Sequence, residues 1–192
     1  MARTASVKVE VDHLAPPRQG PRRPETCAQH GSFSRPPPPQ THRAAADRET
    51  APLLESQLVA KFQMALHNSN HVFSVSESAL EFPYPGGKVD LIAGGVGGEL
   101  LAFEAKLSRW RHALHQAYRA STFAHYSFVL VPAGIGDYAL RRRGEFEKRG
   151  VGLCVLDGTN IRVAIPAQRN EILQPWLTLQ AQKHLTRSAD AD

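Results

Sequence analysis

The stretch Lys88-Val89-Asp90-Leu91-Ile92-Ala93-Gly94-Gly95-Val96-Gly97-Gly98-Glu99-Leu100-Leu101-Ala102-Phe103-Glu104-Ala105-Lys106 decides the fold. Two apolar runs flank a segment rich in glycine, the residue that gives a backbone the freedom a tight reversal needs. Lys88 to Ala93 and Leu100 to Lys106 are therefore predicted to be the arms of an antiparallel hairpin. Successive side chains of a strand point to opposite faces, so Leu100, Ala102, Glu104 and Lys106 share one face of the second arm and Leu101, Phe103 and Ala105 the other. Both faces begin apolar, as in a strand covered on both sides. Charge enters only at the far end, at Glu104 and Lys106.

A reversal centred near Gly97 brings Asp90 opposite Glu104 and onto its face. Two carboxylates about 5 Å apart repel by roughly 3 kcal/mol at an effective dielectric of about 20. That is a large share of the roughly 5 to 15 kcal/mol that stabilises a domain. Lys106, two residues along, could form a structural ion pair with Glu104, but one amine is a poor remedy for two anions. A hard divalent cation, which takes carboxylate oxygens, answers the repulsion directly. The Gly94 to Gly98 segment is not a phosphate loop. It lacks the lysine and Ser/Thr of that motif and leads into a strand rather than a helix.

Outward from the hairpin, Leu53, Leu54, Leu58, Phe62, Ala65 and Leu66 recur at three- and four-residue steps after Pro52 and predict a helix over 52–67. Glu55 projects close to its apolar stripe, either at the rim or toward a polar site between helix and sheet. Val72 to Phe82 reads as a strand broken by Pro83 and Pro85. After the hairpin, Ser108 can cap a helix to about Phe123 with Trp110, Ala113, Leu114, Ala117 and Ala120 inward. Arg109, His112, Gln116 and Arg119 form a polar stripe beside them, suited to phosphate contacts or to solvent. Tyr126 to Val131 and Val151 to Leu156 read as buried parallel strands around a basic helix over 137–149 that carries Arg141, Arg142 and Arg143. Asp157-Gly158 turns into a strand over 161–165, and Ile172, Trp176 and Leu179 suggest a last helix. The fold class is α/β, a mixed central sheet flanked by helices in the order αβββαβαββα.

Residues 1–49 hold Pro16, Pro17, Pro21, Pro24 and Pro36 to Pro39 with almost no apolar periodicity, and read as a disordered Pro/Arg-rich tail. Within it, Val7, Val9 and Val11 alternate with charged residues and could pair with a sheet edge. The folded domain is placed at 50–186 and a disordered C-terminus at 187–192. The tail has eight basic against five acidic residues, so it supplies +3 of the +5 net charge. The charge of the whole chain therefore says little about partners; the positions of the charges matter more. Cys27 and Cys154 make a poor disulfide pair, His67, His71, His112, His115 and His125 show no pairing that demands zinc, and no apolar run approaches a membrane span. With no apolar signal core at the N-terminus, a cytoplasmic location is expected.

The order Glu55, Gly87-Lys88-Val89-Asp90, Glu104-Ala105-Lys106 and then Gln116 on the following helix resembles the PD-(D/E)xK, or restriction-endonuclease-like, superfamily. The likeness covers roughly residues 52–131, an αβββαβ core, with 150–166 as an extension of it, and the elements after the core make a C-terminal αββα extension. Glu-x-Lys alone is common. The specificity lies in Asp90 standing thirteen residues ahead of it, with both on strands and a polar-faced helix after. Val89 stands where the namesake motif has proline, a variable position. The resemblance implies Mg²⁺- or Mn²⁺-dependent phosphodiester hydrolysis, with DNA the leading substrate and a role in repair, restriction or defence. Asp90, Glu104 and the Ala105 carbonyl would be ligands, Glu55 would serve a second ion or a bridging water, and Lys106 would orient the nucleophile. Gln116, Arg109, His112 and Arg119 would meet the nucleic acid. A homodimer is left open. The alternatives are a catalytically inactive nuclease-like domain that binds nucleic acid or protein, and an α/β protein in which the three charged residues form a structural ion network.

Overall fold

The computed structural model describes residues 54–68 and 72–189. The predicted tail over 1–49, the Val7 to Val11 strand, Pro52 and residues 190–192 lie outside them. The described chain runs α1 (Glu55–Asn68), β1 (Val75–Tyr84), β2 (Gly87–Gly95), β3 (Leu100–Ala105), α2 (Trp110–Ala120), β4 (Tyr126–Pro132), α3 (Ala133–Leu140), α4 (Arg143–Glu147), β5 (Gly152–Asp157), β6 (Asn160–Ile165) and α5 (Pro175–Ala189). The strands form one six-stranded sheet in sequential order. β1, β2 and β3 are an antiparallel meander, β3, β4 and β5 are parallel neighbours, and β6 returns antiparallel. Each parallel step needs a crossover, which α2 supplies for the first and α3 with α4 for the second.

Every residue of β3 is buried, because helices cover both faces. On one side α1 packs Leu58, Phe62 and Leu66 against Leu91, Leu101, Phe103, Phe128 and Leu130. On the other, α5 and the end of α2 cover Ile92, Leu100 and Ala102, while α2, α3 and α4 cover Val129, Val131, Leu153 and Val155. Stacked and edge-on aromatic contacts among Phe62, Phe73, Phe103 and Phe128 knit the α1 side together. Among the described residues no helix is long and apolar enough to cross a membrane.

Several predicted boundaries shift for physical reasons. β1 runs through Pro83; it is an edge strand, where a residue without an N–H is tolerated. Leu54 is exposed because α1 starts one residue after it. The single basic helix expected over 137–149 is two. α3 begins directly after Pro132 and ends at Leu140, and α4 takes Arg143–Glu147. Gly134 and Gly136 are poor helix formers, but α3 presses on β5 so closely that a Cβ at Gly136 would stand 2.6 Å from a Val155 methyl. Ser108 does not cap α2. Arg109 is the N-cap residue, without a side-chain capping bond, and Ser108 only offers its carbonyl to the Trp110 N–H at 3.0 Å. On α5 the buried face is Leu177, Thr178, Ala181 and Leu185, while Trp176 and Leu179 face out. The Leu185 anchor and side-chain bonds such as Ser188 Oγ to the His184 carbonyl carry that helix to Ala189, past residue 186.

Candidate active site

β2 and β3 pair in the register that a reversal about Gly97 requires: Gly94 faces Leu100, Ile92 faces Ala102 and Leu91 faces Phe103. The next pair in that register is Asp90 and Glu104, and there the ladder stops. Asp90 Oδ2 instead accepts the Ala105 N–H at 2.8 Å, so a side chain takes the place of a backbone partner. On its other edge Asp90 is also released. The β1 register passes from Leu80 against Leu91 to Phe82 against Val89, and Glu81, opposite Asp90, adopts a left-handed backbone with φ 59°. For a glutamate this conformation is strained and persists only where the surroundings enforce it. One consequence is that Leu91 is buried on the α1 side and Val89 on the α5 side, although they are two apart on one strand. The strand is wrenched at Asp90.

Glu104 lies in the interior with none of its surface exposed, and neither Oε1 nor Oε2 has a hydrogen-bond donor. Burial pushes its carboxyl up to about 9, and the adjacent Asp90 adds to the rise; Lys106 and Arg119 oppose it without cancelling it. As an anion Glu104 therefore has nothing to bond with, and as an acid it can donate to Asp90. Lys106 stands just beyond the end of β3. Its Nζ donates to Glu55 Oε2 at 2.9 Å and to the Ala105 carbonyl at 2.9 Å. The strand ends at Ala105, so Lys106 leaves the expected alternation and its amine turns to α1. An ammonium group has three donors, and these two bonds leave one.

Glu55 is thus brought to the site through Lys106. Among the described residues no three His, Cys, Asp or Glu side chains converge on one point, so Asp90 and Glu104 make a pair. A cavity of about 170 Å³ lined by Glu55, Ser56, Val59, Leu80, Glu81 and Asp90 opens beside the pair between α1 and the β1–β2 hairpin. Of the α2 stripe, Arg119 acts electrostatically on Glu104 and reaches the β1–β2 turn, with Nη2 4.0 Å from where a Cβ of Gly87 would stand. Gln116 is half-buried, its Oε1 enclosed without a partner. Arg109 and His112 are exposed near the start of α2. Two residues near the pair were not singled out from sequence. Glu81 needs its φ angle to be noticed, and Tyr84 sits between prolines that read only as strand breakers.

The donor set suits a small divalent cation. Two carboxylates meet at the point where two strands part, one of them with both oxygens orphaned, and hard cations take oxygen ligands of this kind. Glu104 is fully buried and Asp90 half-buried against it, and two carboxylates so placed are costly unless one keeps a proton or a cation stands between them.

No family model matches the chain, and no curated protein sequence matches it. Among solved structures, a protein of unknown function from Silicibacter pomeroyi has a TM-score of 0.55 at 20% identity, covering 73% of this chain and 89% of its own. A repair endonuclease from Pyrococcus abyssi has a TM-score of 0.36 at 18% identity; the match covers 50% of this chain and 46% of that one. The first likeness is one of fold alone.

Proposed function

We propose that this protein is a divalent-metal-dependent nuclease that hydrolyses phosphodiester bonds in DNA, built on the PD-(D/E)xK plan that its sequence resembles. The observation that carries the reading is the buried, donor-less carboxyl of Glu104 against Asp90 at the divergence of β2 and β3. Asp90 and Glu104, with the Ala105 carbonyl, would hold Mg²⁺ or Mn²⁺. Such an ion, when bound, polarises a phosphoryl oxygen and makes water a stronger nucleophile.

The chain's own residues do the rest. Asp90 is fixed by the Ala105 N–H, which leaves Oδ1 for a ligand. The Lys106 amine is oriented by Glu55 and the Ala105 carbonyl, and its remaining donor is free to orient a water or to offset charge growing on the phosphate. In this reading Glu55 acts as the positioning residue for Lys106. Arg119 lies on the approach from α2 and meets the negative backbone of the substrate.

The test is incubation of purified protein with plasmid, linear and single-stranded DNA and with RNA, in Mg²⁺, Mn²⁺ or EDTA, beside Asp90→Ala and Lys106→Ala. The proposal expects metal-dependent cleavage of DNA that both substitutions abolish. Binding without cleavage in any metal would make the chain an inactive nuclease-like binding domain, and neither activity would leave the charged residues a structural network.

A further inference from the structure

β1 ends at Tyr84, and the chain reverses through Pro85, Gly86 and Gly87 into β2. The Gly86 N–H donates to the Tyr84 carbonyl at 2.8 Å, and Gly86 and Gly87 take positive φ angles of 155° and 145° that side-chain-bearing residues rarely adopt. The tightness of this turn folds the Tyr84 ring back over it. A Cβ at Gly86 would stand 3.1 Å from the Tyr84 Cε2. The ring also packs on Phe123, with centroids 5.3 Å apart. Held between the turn and the segment after α2, the ring has little freedom, and its hydroxyl is carried to the rim of the site.

At that rim the Tyr84 hydroxyl and Arg119 Nη2 lie 3.9 and 4.0 Å from the point where a Cβ of Gly87 would stand. A phenolic donor and a guanidinium fork thus flank a residue with no side chain, over which a ligand can approach the backbone. Neither group is committed elsewhere among the described residues. Among the described residues Arg119 has no ion pair and no side-chain hydrogen bond, whereas Arg111, Arg143 and Arg162 are paired with Glu145, Glu147 and Asp137. The Tyr84 hydroxyl likewise has no hydrogen bond among the described residues. Arg119 and Glu104 both act electrostatically on Tyr84, which places the group on the edge of the carboxylate pair rather than on a remote surface.

An O–H donor, a planar guanidinium and an uncrowded glycine suit a tetrahedral anion with several acceptor oxygens. We propose that Tyr84 and Arg119 form a subsite for one backbone phosphate of a nucleic-acid strand, a neighbour of the phosphate that is cut. The proposal rests on the nuclease reading of Asp90 and Glu104. The neighbouring phosphate, rather than the scissile one, follows from the strand. Gly87 precedes Asp90 by three residues, about 10 Å along an extended strand, a separation that favours two successive phosphates over one.

The experiment is equilibrium binding by fluorescence anisotropy in EDTA, with short labelled DNA and RNA strands of one sequence, each carrying a single neutral methylphosphonate walked along the backbone. Wild type should lose affinity most when one particular phosphate is neutralised, at the same position in both strands, since the phosphate is common to them. Tyr84→Phe keeps the packing on Phe123 and should bind about threefold to tenfold more weakly, with the loss at that position largely abolished. Arg119→Ala should weaken binding about tenfold and lower the salt slope by about one, and Arg119→Lys should fall between it and wild type. A Tyr84→Phe protein whose affinity and methylphosphonate profile match wild type would overturn this subsite and leave the nuclease reading standing. A wild-type protein that binds neither strand and cleaves nothing would overturn both.

Discussion

β3 is bounded by two buried glutamates, and they could hardly be more differently placed. Glu99 precedes the strand, with 7% of its surface exposed and Oε2 enclosed without a partner. Its carboxylate folds back into the glycine turn and fills the space a Gly97 side chain would need, 2.6 Å from where that Cβ would stand. Nearby is His125, whose Nδ1 accepts the Leu100 N–H at 2.9 Å. Burial first and Arg169 second lower the His125 pKa against the opposing pull of Glu99, which keeps the ring neutral, as its acceptance of the Leu100 N–H requires. Glu104, one residue from the other end, has no exposure, two orphaned oxygens and another carboxylate against it. Its nearest amine, Lys106, is engaged with Glu55. Burial of an acid therefore does not by itself mark a site. The second carboxylate against Glu104, with both Glu104 oxygens unpartnered, separates a candidate metal ligand from a turn residue.

Substitution at the two ends is the strongest way to break this comparison. Glu104→Gln should reduce metal-dependent cleavage by about 10²-fold or more, the scale on which loss of one preorganised electrostatic group is felt. It should leave the fold intact, because glutamine closely matches the protonated acid. Glu99→Gln should leave cleavage unchanged. Equal losses at both positions would mean that the distinction drawn between them is wrong.

The next largest effect concerns pH. Glu104 holds its proton in the folded protein up to about 9 but in the unfolded chain only to the ordinary value of 4.5, so between these values the folded state binds more protons. The metal-free protein should therefore lose stability as pH rises from about 4.5 towards 9, the stabilisation being fully present below that window. Thermal melts in EDTA across this range would register the slope. The downward slope should be lost in Glu104→Gln, where the lowered pKa of His125 leaves a small opposite one, persist in Glu99→Gln and be offset by added Mn²⁺, increasingly so at higher pH as the ion competes with fewer protons.

A smaller effect is expected at Glu55. With 46% of its side chain exposed, its pair with Lys106 should add little to stability, so Glu55→Gln should change unfolding free energy by less than about 1 kcal/mol. Its effect on rate should be larger, about tenfold, if it positions the Lys106 amine. Single-turnover cleavage beside a denaturant melt separates the two. A loss of stability as large as the loss of rate would return Lys106 and Glu55 to a purely structural role.

The hairpin could be read from sequence because two local signals agree. The glycine run fixes where the chain turns, and the alternation of Leu100 to Glu104 fixes which residues share a face. Together they place Asp90 opposite Glu104 with no knowledge of the rest of the chain. The wrench at Asp90 was not legible, since it depends on the left-handed φ of Glu81 on a different strand, and no propensity announces that. Tyr84 was missed for a related reason. Its flanking prolines and glycines signal a turn, but where the ring goes is decided by Phe123, distant in sequence. The exposed Trp176 and Leu179 teach the same lesson, because a short apolar pattern gives the helix but not the face that its neighbours cover.

The central claim, that Asp90 and Glu104 share a divalent ion, is tested most directly by titrating Mn²⁺ into the purified protein and following free Mn²⁺ by electron paramagnetic resonance, for wild type, Glu104→Gln and Glu99→Gln. Wild type should show saturable binding that strengthens with pH towards 9, is lost in Glu104→Gln and is kept in Glu99→Gln. Absence of binding in wild type, or binding that survives Glu104→Gln unchanged, would contradict it.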